Sequence, residues 1–408
     1  MAQFALSNGL ELLVVEDHNR KVAALQLWVK VGSADEGPSE RGISHLIEHM
    51  AFKGTARRGV GEIASEVEAL GGDINAYTSW DETVFHITVP SKAAMQGLDI
   101  LLDAVLRPSL DPEELEKEKQ VVLEEILEGD ERPASKSSKL LFETAYAQSP
   151  YKYPIIGYKE IVETFTRDDI IAFRKKWYVP ENMLLLIAGD VDTNAVKSEV
   201  ERLTSGLKPA GFFRPPKPEE PPQTEMRSSL VRDKNAKETR LHLAYHIQSI
   251  RGNDVNALDV TGDLLGGREN SRLGRVLKKE KQLVNSISAY ALTPKDPGLM
   301  VISATMDAKN LEAALEAIMD QLDLLAKEAP AADELERAKI QLESQHVYAR
   351  ETVQGIARSV GNFAADLGDP YYEHKYLALN SLVTPDQVTR VVSRYMTYPN
   401  ATLAVLIP

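Results

Sequence analysis

Asp111-Pro112-Glu113-Glu114-Leu115-Glu116 opens a helical run that reaches residue 128, and Asp333-Glu334-Leu335-Glu336 opens a second that reaches residue 345. Residues 113–116 and 333–336 match in register, and the agreement continues on both sides. Each run follows a turn and an earlier helical stretch, residues 95–106 in one case and 311–327 in the other. Further upstream, strand-like residues 12–15 lead through charged residues to a strand-like run at 23–31. Residues 230–231 likewise lead through Lys234-Asn235 to 239–247. Each half closes on a short apolar strand, 183–189 and 401–408. Self-similarity over this length marks a duplicated unit. Strands alternating with long helices, with apparent hairpins, predict an α+β fold: two homologous α/β-sandwich domains, each a mostly antiparallel sheet with packed helices.

Between the copies lies the clearest break, residues 208–225, with Pro209, Pro215, Pro216, Pro218, Pro221 and Pro222. Proline at this density disfavours helix and strand interiors and reads as an extended linker. The expected domains are therefore 1–207, a linker at 208–225, and 226–408. Composition is that of an ordinary globular chain, 43% hydrophobic and 26% charged. A net charge of −14 argues against nucleic acid as a partner, since phosphate binding needs a basic surface. With no cysteine, neither disulfides nor thiol catalysis are available. No apolar run is long enough to span a bilayer, so no membrane partner is expected. The first sixteen residues lack a basic-then-apolar signal pattern, which fits a cytoplasmic location, or a periplasmic one if a signal peptide has been removed.

Chemistry concentrates in His45-Leu46-Ile47-Glu48-His49. Two histidines four apart on a helix point the same way, with a carboxylate projecting from nearly the same side. His-x-x-Glu-His is the inverzincin order of two metal ligands and a base. The helix is expected at residues 39–53, with Gly54 as its C-cap. On the pentapeptide alone, a pair of hydrogen-bonded structural histidines stays open as the alternative. A catalytic zinc site needs a third protein ligand and an open position. The 112–128 helix, capped by Asp111, offers one. Its apolar side carries Leu115, Val122 and Ile126, and Glu118 and Glu125, seven apart, are nearly eclipsed at the edge of that stripe. Carboxylates beside a buried face need compensating positive charge. Glu125 is favoured as a ligand and Glu118 as the residue that orients one; Glu116, Glu124 and Glu128 read as a solvated acidic face. In the second copy, Ala338 stands opposite Glu118, Gln345 stands opposite Glu125, and there is no His-x-x-Glu-His. One site on one of two similar scaffolds would look like this. His242 and His246 lie in a strand-like run without an accompanying acid. His86 sits among alternating apolar residues, and His18, His346 and His374 read as surface or structural residues.

These residues resemble the pitrilysin/insulinase family of zinc peptidases, in particular its bacterial, processing-peptidase-like branch. The likeness rests on Val31-Gly32-Ser33-Ala34-Asp35-Glu36, on Gly42-Ile43-Ser44-His45-Leu46-Ile47-Glu48-His49-Met50-Ala51-Phe52-Lys53-Gly54-Thr55, and on Gly71-Gly72-Asp73-Ile74-Asn75-Ala76-Tyr77-Thr78. It extends through residues 118–125 to Ile187-Ala188-Gly189-Asp190, dense in the first half and looser in the second. The resemblance implies one Zn²⁺ per chain held by His45, His49 and Glu125, which agrees with the helix-face argument. It implies that Glu48 activates a zinc-bound water and that the supporting glutamate falls on Glu118. It further implies that the strand at 74–79, with Asn75-Ala76, pairs its edge with an extended peptide substrate. An ordinary hairpin strand is the alternative for that segment.

The chain departs from the family at one place. Catalytic members use an Arg and a Tyr, seven residues apart, from a facing half-molecule. Registered on Ser271-Arg272-Leu273, those positions fall on Lys278 and Asn285. Lysine lacks the planar fork of arginine, and asparagine has a different reach. The expectation is a zinc endopeptidase acting on peptides or unfolded segments as a homodimer, or as a heterodimer with a homologous half-molecule, separate or fused downstream. The alternatives are a non-catalytic scaffold or partner subunit of the same fold, and a structural-metal protein without turnover.

Overall fold

The apolar run at 183–189 is buried at every residue because its sheet is covered on both faces. The computed structural model describes residues 1–408. In chain order the first half holds β1 (Ala2–Ala5), β2 (Glu11–Glu16), β3 (Val22–Val29), α1 (Ile43–Met50), α2 (Glu62–Ala69), β4 (Asp73–Thr78), β5 (Thr83–Pro90), α3 (Ala94–Leu106), α4 (Pro112–Glu131), α5 (Pro133–Ala145), α6 (Lys159–Val162), α7 (Arg167–Trp177), β6 (Met183–Gly189) and α8 (Thr193–Leu203). The second holds β7 (Arg227–Arg232), β8 (Thr239–His246), α9 (Val255–Gly266), a π-helical stretch at Gly274–Glu280, β9 (Ser286–Leu292), β10 (Leu299–Met306), α10 (Leu311–Lys327), α11 (Ala332–Ala349), α12 (Val353–Leu367), α13 (Tyr372–Ser381), α14 (Pro385–Tyr395) and β11 (Ala401–Ile407). No helix is long and apolar enough to cross a membrane.

The strands form two sheets, ordered β1-β2-β6-β3-β5-β4 and β7-β11-β8-β10-β9. Leaving out β1, the orders correspond strand for strand. Each sheet has one parallel joint, β2 with β6 and β7 with β11, and all other pairings are antiparallel. The duplication read from the helix openings is thus matched in topology, and the fold is the α+β pair of sandwiches expected. In the first sheet, alternation sends Leu12, Val14, Leu185 and Ile187 into the core under α1, α3 and α4. Leu13, Leu184, Leu186 and Trp28 go to the opposite face, where Val353, Ile356 and Val360 of α12 meet them. Each fully buried leucine or isoleucine contributes about 2 kcal/mol.

The compact units are not contiguous halves of the chain. One comprises residues 1–127, 153–217 and 349–370; the other comprises 128–152, 218–348 and 371–408. The Pro-rich segment passes from the first to the second between Lys217 and Pro218, and each unit takes one helix from the other half of the sequence. In the first, α12 lies on Trp28, and Gly361 permits the approach, since a Cβ there would run into the indole. In the second, α5 lies on β8. The Nε2 atom of His242 is 3.1 Å from Ser137 Oγ, and His246 Nε2 donates to the Ala145 carbonyl at 2.8 Å. Four residues apart on a strand, the two histidines share a face and hold the helix at its second turn and at its last residue.

Candidate metal centre

The helix that carries the histidines is shorter than expected. It spans Ile43–Met50, not 39–53. Gly42, at φ +98°, is in the left-handed region, so helix cannot extend upstream through it. Its missing Cβ would also sit 2.6 Å from the Ile156 carbonyl oxygen. At the other end the chain turns after Met50, and Gly54 (φ +104°) closes that turn rather than the helix. The N-terminus is capped from outside by a buried carboxylate. Glu36 accepts from Gly42 N at 2.8 Å and from Ser44 N at 2.9 Å. Burial pushes the Glu36 carboxyl up to about 8, against the pull of those two N–H groups and of Arg41. Both oxygens face N–H donors, which offsets part of the cost of burying the group. Glu36→Ala leaves two buried N–H groups without acceptors and is expected to destabilise the fold by about 2 to 4 kcal/mol in urea denaturation. A loss under about 1 kcal/mol would mean that the cap is dispensable.

One turn of α1 and the middle of α4 bring three donor atoms together. Glu125 Oε2 lies 3.9 Å from His45 Nε2 and 3.8 Å from His49 Nε2. One ligand atom from each of the three residues lies within 4.8 Å of the others. These separations are too long for hydrogen bonds. They approach the roughly 3.3 Å ligand-to-ligand spacing of a tetrahedral site with bonds near 2.0–2.1 Å. Two imidazole nitrogens and a carboxylate oxygen are also the chemistry of a catalytic zinc set. His49 is oriented from behind. Its Nδ1 is 3.1 Å from Glu118 Oε2, and Lys53 Nζ is 2.6 Å from Glu118 Oε1. A carboxylate can only accept, so Nδ1 carries the proton and Nε2 keeps its lone pair toward the gap. His45 Nδ1 is buried without a hydrogen-bond partner. Burial, aided by His49, lowers the His45 pKa to about 4, so this ring is neutral through the physiological range.

Glu118 and Glu125, read alike at the edge of the apolar stripe, are in different surroundings. The Glu118 side chain is 7% exposed and neutralised by Lys53, whereas that of Glu125 is 43% exposed. Glu48 lies on α1 between the two histidines, half-buried. Burial raises its pKa, while the Thr78 hydroxyl and His49 pull it down. Thr78 Oγ1 donates to Glu48 Oε2 at 2.6 Å. Thr78 ends β4, the outermost strand of its sheet, paired on one side only, with β5. Asn75 and Ala76 lie in the same strand, Asn75 exposed and Ala76 half-buried, and Asn75 Oδ1 accepts from Ala76 N at 2.8 Å. The structure therefore gathers His45, Glu48, His49, Glu118 and Glu125, with the β4 edge beside the helix that bears the histidines.

Three contributors escape a reading of the sequence by motif alone. Lys53 lies four residues after His49, as a helix continued to 53 would have suggested. Thr78 lies two residues after Ala76 on the same strand face. Glu36 acts across a loop and has no local signal. In the second unit Lys278 pairs with Glu269, and Asn285 Nδ2 donates to Glu238 Oε2 at 3.0 Å. Gln345, which stands opposite Glu125 in the register of the two copies, donates from Nε2 to Asp263 Oδ1 at 3.3 Å.

Comparison with known proteins places this geometry in context. Residues 12–159 match the family model described as Insulinase (Peptidase family M16), and residues 164–342 match the Peptidase M16 inactive domain. An uncharacterized zinc protease of Rickettsia bellii is 30% identical over 95% of this chain and 90% of its own length. Mitochondrial-processing peptidase subunit beta of Blastocladiella emersonii is 26% identical over 96% of this chain and 85% of its own length. Among solved structures, a protease from Helicobacter pylori superposes with a TM-score of 0.95 at 26% identity, covering 100% of this chain and 99% of that one.

Proposed function

We propose that this chain, which belongs to the insulinase family of peptidases (family M16), is a zinc-dependent endopeptidase that hydrolyses peptides or unfolded polypeptide segments. The observation that carries the reading is the convergence of His45 Nε2, His49 Nε2 and Glu125 Oε2 around an ion-sized gap, with Glu48 beside it. Those three residues would hold the metal, one ion per chain. When bound, zinc supplies Lewis-acid polarisation of a carbonyl and brings the pKa of water toward neutrality. Glu48 takes the proton of the attacking water and hands it to the departing amine, so one water and one peptide bond yield a carboxyl and an amino terminus. Glu118 keeps His49 in the tautomer the site requires. The open edge of β4 at Asn75 and Ala76 offers main-chain groups to an extended peptide, which suits unfolded substrates because only backbone access is needed.

Lys278 and Asn285 bear on assembly. Each is engaged with an acidic neighbour, and neither has the chemistry of the Arg and Tyr of the family's catalytic members. The reading is therefore that a homologous half-molecule completes the enzyme, with a self-sufficient homodimer as the competing arrangement. Cleavage of a quenched fluorogenic, unstructured peptide separates them. Robust metal-dependent turnover by the purified chain alone removes the partner requirement. No turnover with or without a half-molecule bearing the Arg and Tyr leaves the non-catalytic scaffold as the function. Independently, Glu118→Gln is expected to weaken zinc binding by about 10- to 100-fold in competition with a chromophoric chelator. It keeps the shape but removes the charge that holds His49 and Lys53; unchanged affinity would sink the orienting role.

A further inference from the structure

We propose that Thr78 is a positioning residue for the base: its hydroxyl sets the orientation of the Glu48 carboxylate, and its main chain belongs to the strand on which the peptide lies. The inference rests on the reading of Glu48 as the base and β4 as the substrate strand, and deepens it. Base orientation and substrate alignment then share one residue.

The geometry begins with the period-2 alternation of β4. Ile74 and Ala76 pack against the core that includes Leu46, Ile47 and Met50 of α1. Thr78 continues that face, and its Oγ1 reaches Glu48 Oε2 at 2.6 Å, the length of a strong bond to a charged acceptor. A hydroxyl donating to Oε2 leaves Oε1 free for the proton that the reaction delivers. The opposite face of the strand is held as well. Tyr77 meets Trp28 edge-on at 6.3 Å and lies under the Arg358 guanidinium at 4.9 Å. The next two residues are fixed by main-chain bonds, Ser33 N to Ser79 O at 3.1 Å and Ala34 N to Trp80 O at 2.8 Å. Thr78 is thus anchored from three directions, whereas Glu48 is a three-rotor side chain whose carboxylate gains its fixed direction from this bond.

Thr78→Val removes the hydroxyl and keeps a β-branched strand residue of nearly the same shape; Thr78→Ser keeps the hydroxyl. Misplacing a reacting group by about an ångström costs on the order of 100-fold, so Thr78→Val should lower kcat by about 10- to 100-fold, with KM and zinc content within about twofold of wild type. Thr78→Ser should recover most of kcat. Wild-type kcat in Thr78→Val, equal loss in both variants, or a loss confined to KM would each overturn the proposal. Glu48→Gln assayed in parallel separates the two readings. Its full activity would remove the base itself, whereas an inactive Glu48→Gln beside an unimpaired Thr78→Val removes only the role of the threonine. A measurement free of turnover is the crystal structure of each zinc-loaded protein. The Glu48 carboxylate should keep its bond to residue 78 in wild type and Thr78→Ser, and turn away in Thr78→Val. An unmoved carboxylate in Thr78→Val overturns the proposal whatever the chain's activity alone.

Discussion

Glu48→Gln is expected to leave one zinc per chain and to abolish peptide hydrolysis. Glu48 is not among the three residues whose donor atoms converge, so the metal set is untouched. The amide has the size of the carboxylate, and its oxygen can still accept from Thr78 Oγ1, so the side chain need not move. What disappears is the proton acceptor. Positioned general bases contribute on the order of 10²- to 10⁴-fold, or about 3 to 5 kcal/mol of barrier. The ionised form is the active one, and burial raises the Glu48 pKa. Zinc by elemental analysis and cleavage of a fluorogenic peptide are the two measurements. Turnover within tenfold of wild type would reject Glu48 as the base.

The second large effect is expected at Glu125. Replacing it with alanine takes one of three donors from the site, and the two remaining imidazoles should no longer retain zinc through gel filtration. The fold should survive, because this side chain is 43% exposed and has no part in the buried contacts of α4. Hydrolysis should be lost and not restored by stoichiometric zinc. Glu124→Ala is the matched control: its neighbour on the helix is also exposed, about 100° further round, and should bind zinc as wild type does. A Glu125→Ala protein that still holds one zinc tightly would show that the third ligand lies elsewhere. Thermal midpoints within a few degrees for both variants would exclude unfolding as the cause.

How far the chain could be read depended on the range of each signal. Helix periodicity is local, so residues 311–327 and the capping role of Asp111 were legible. Asp111 Oδ1 indeed accepts from Glu113 N at 2.8 Å. The ends of α1 were not, because a left-handed Gly42 and a carboxylate from Glu36 set its start, and neither follows from the 3.6-residue pattern. The pairing of Glu118 with Glu125 was legible as a face and not as an environment, since only Lys53, arriving from another helix's end, separates the buried carboxylate from the open one. Placement of α5 and α12 was the least legible. An amphipathic helix declares that it will cover something, and its sequence does not say which sheet. The strand histidines His242 and His246 were the one trace, and they carry no motif.

The exchange of those two helices has a consequence for synthesis. Trp28, Leu184 and Leu186 are made early and covered late, by residues 353–367. As the chain leaves the ribosome from its N-terminus, the first sheet keeps one apolar face open until residues 353–367 have emerged. Long-range closure of this kind raises contact order and slows folding. The sheet under the candidate metal centre is therefore tied to a helix made about 160 residues after its own last strand, and a nascent product that lacks residues 353–367 would present an apolar surface instead of a closed core.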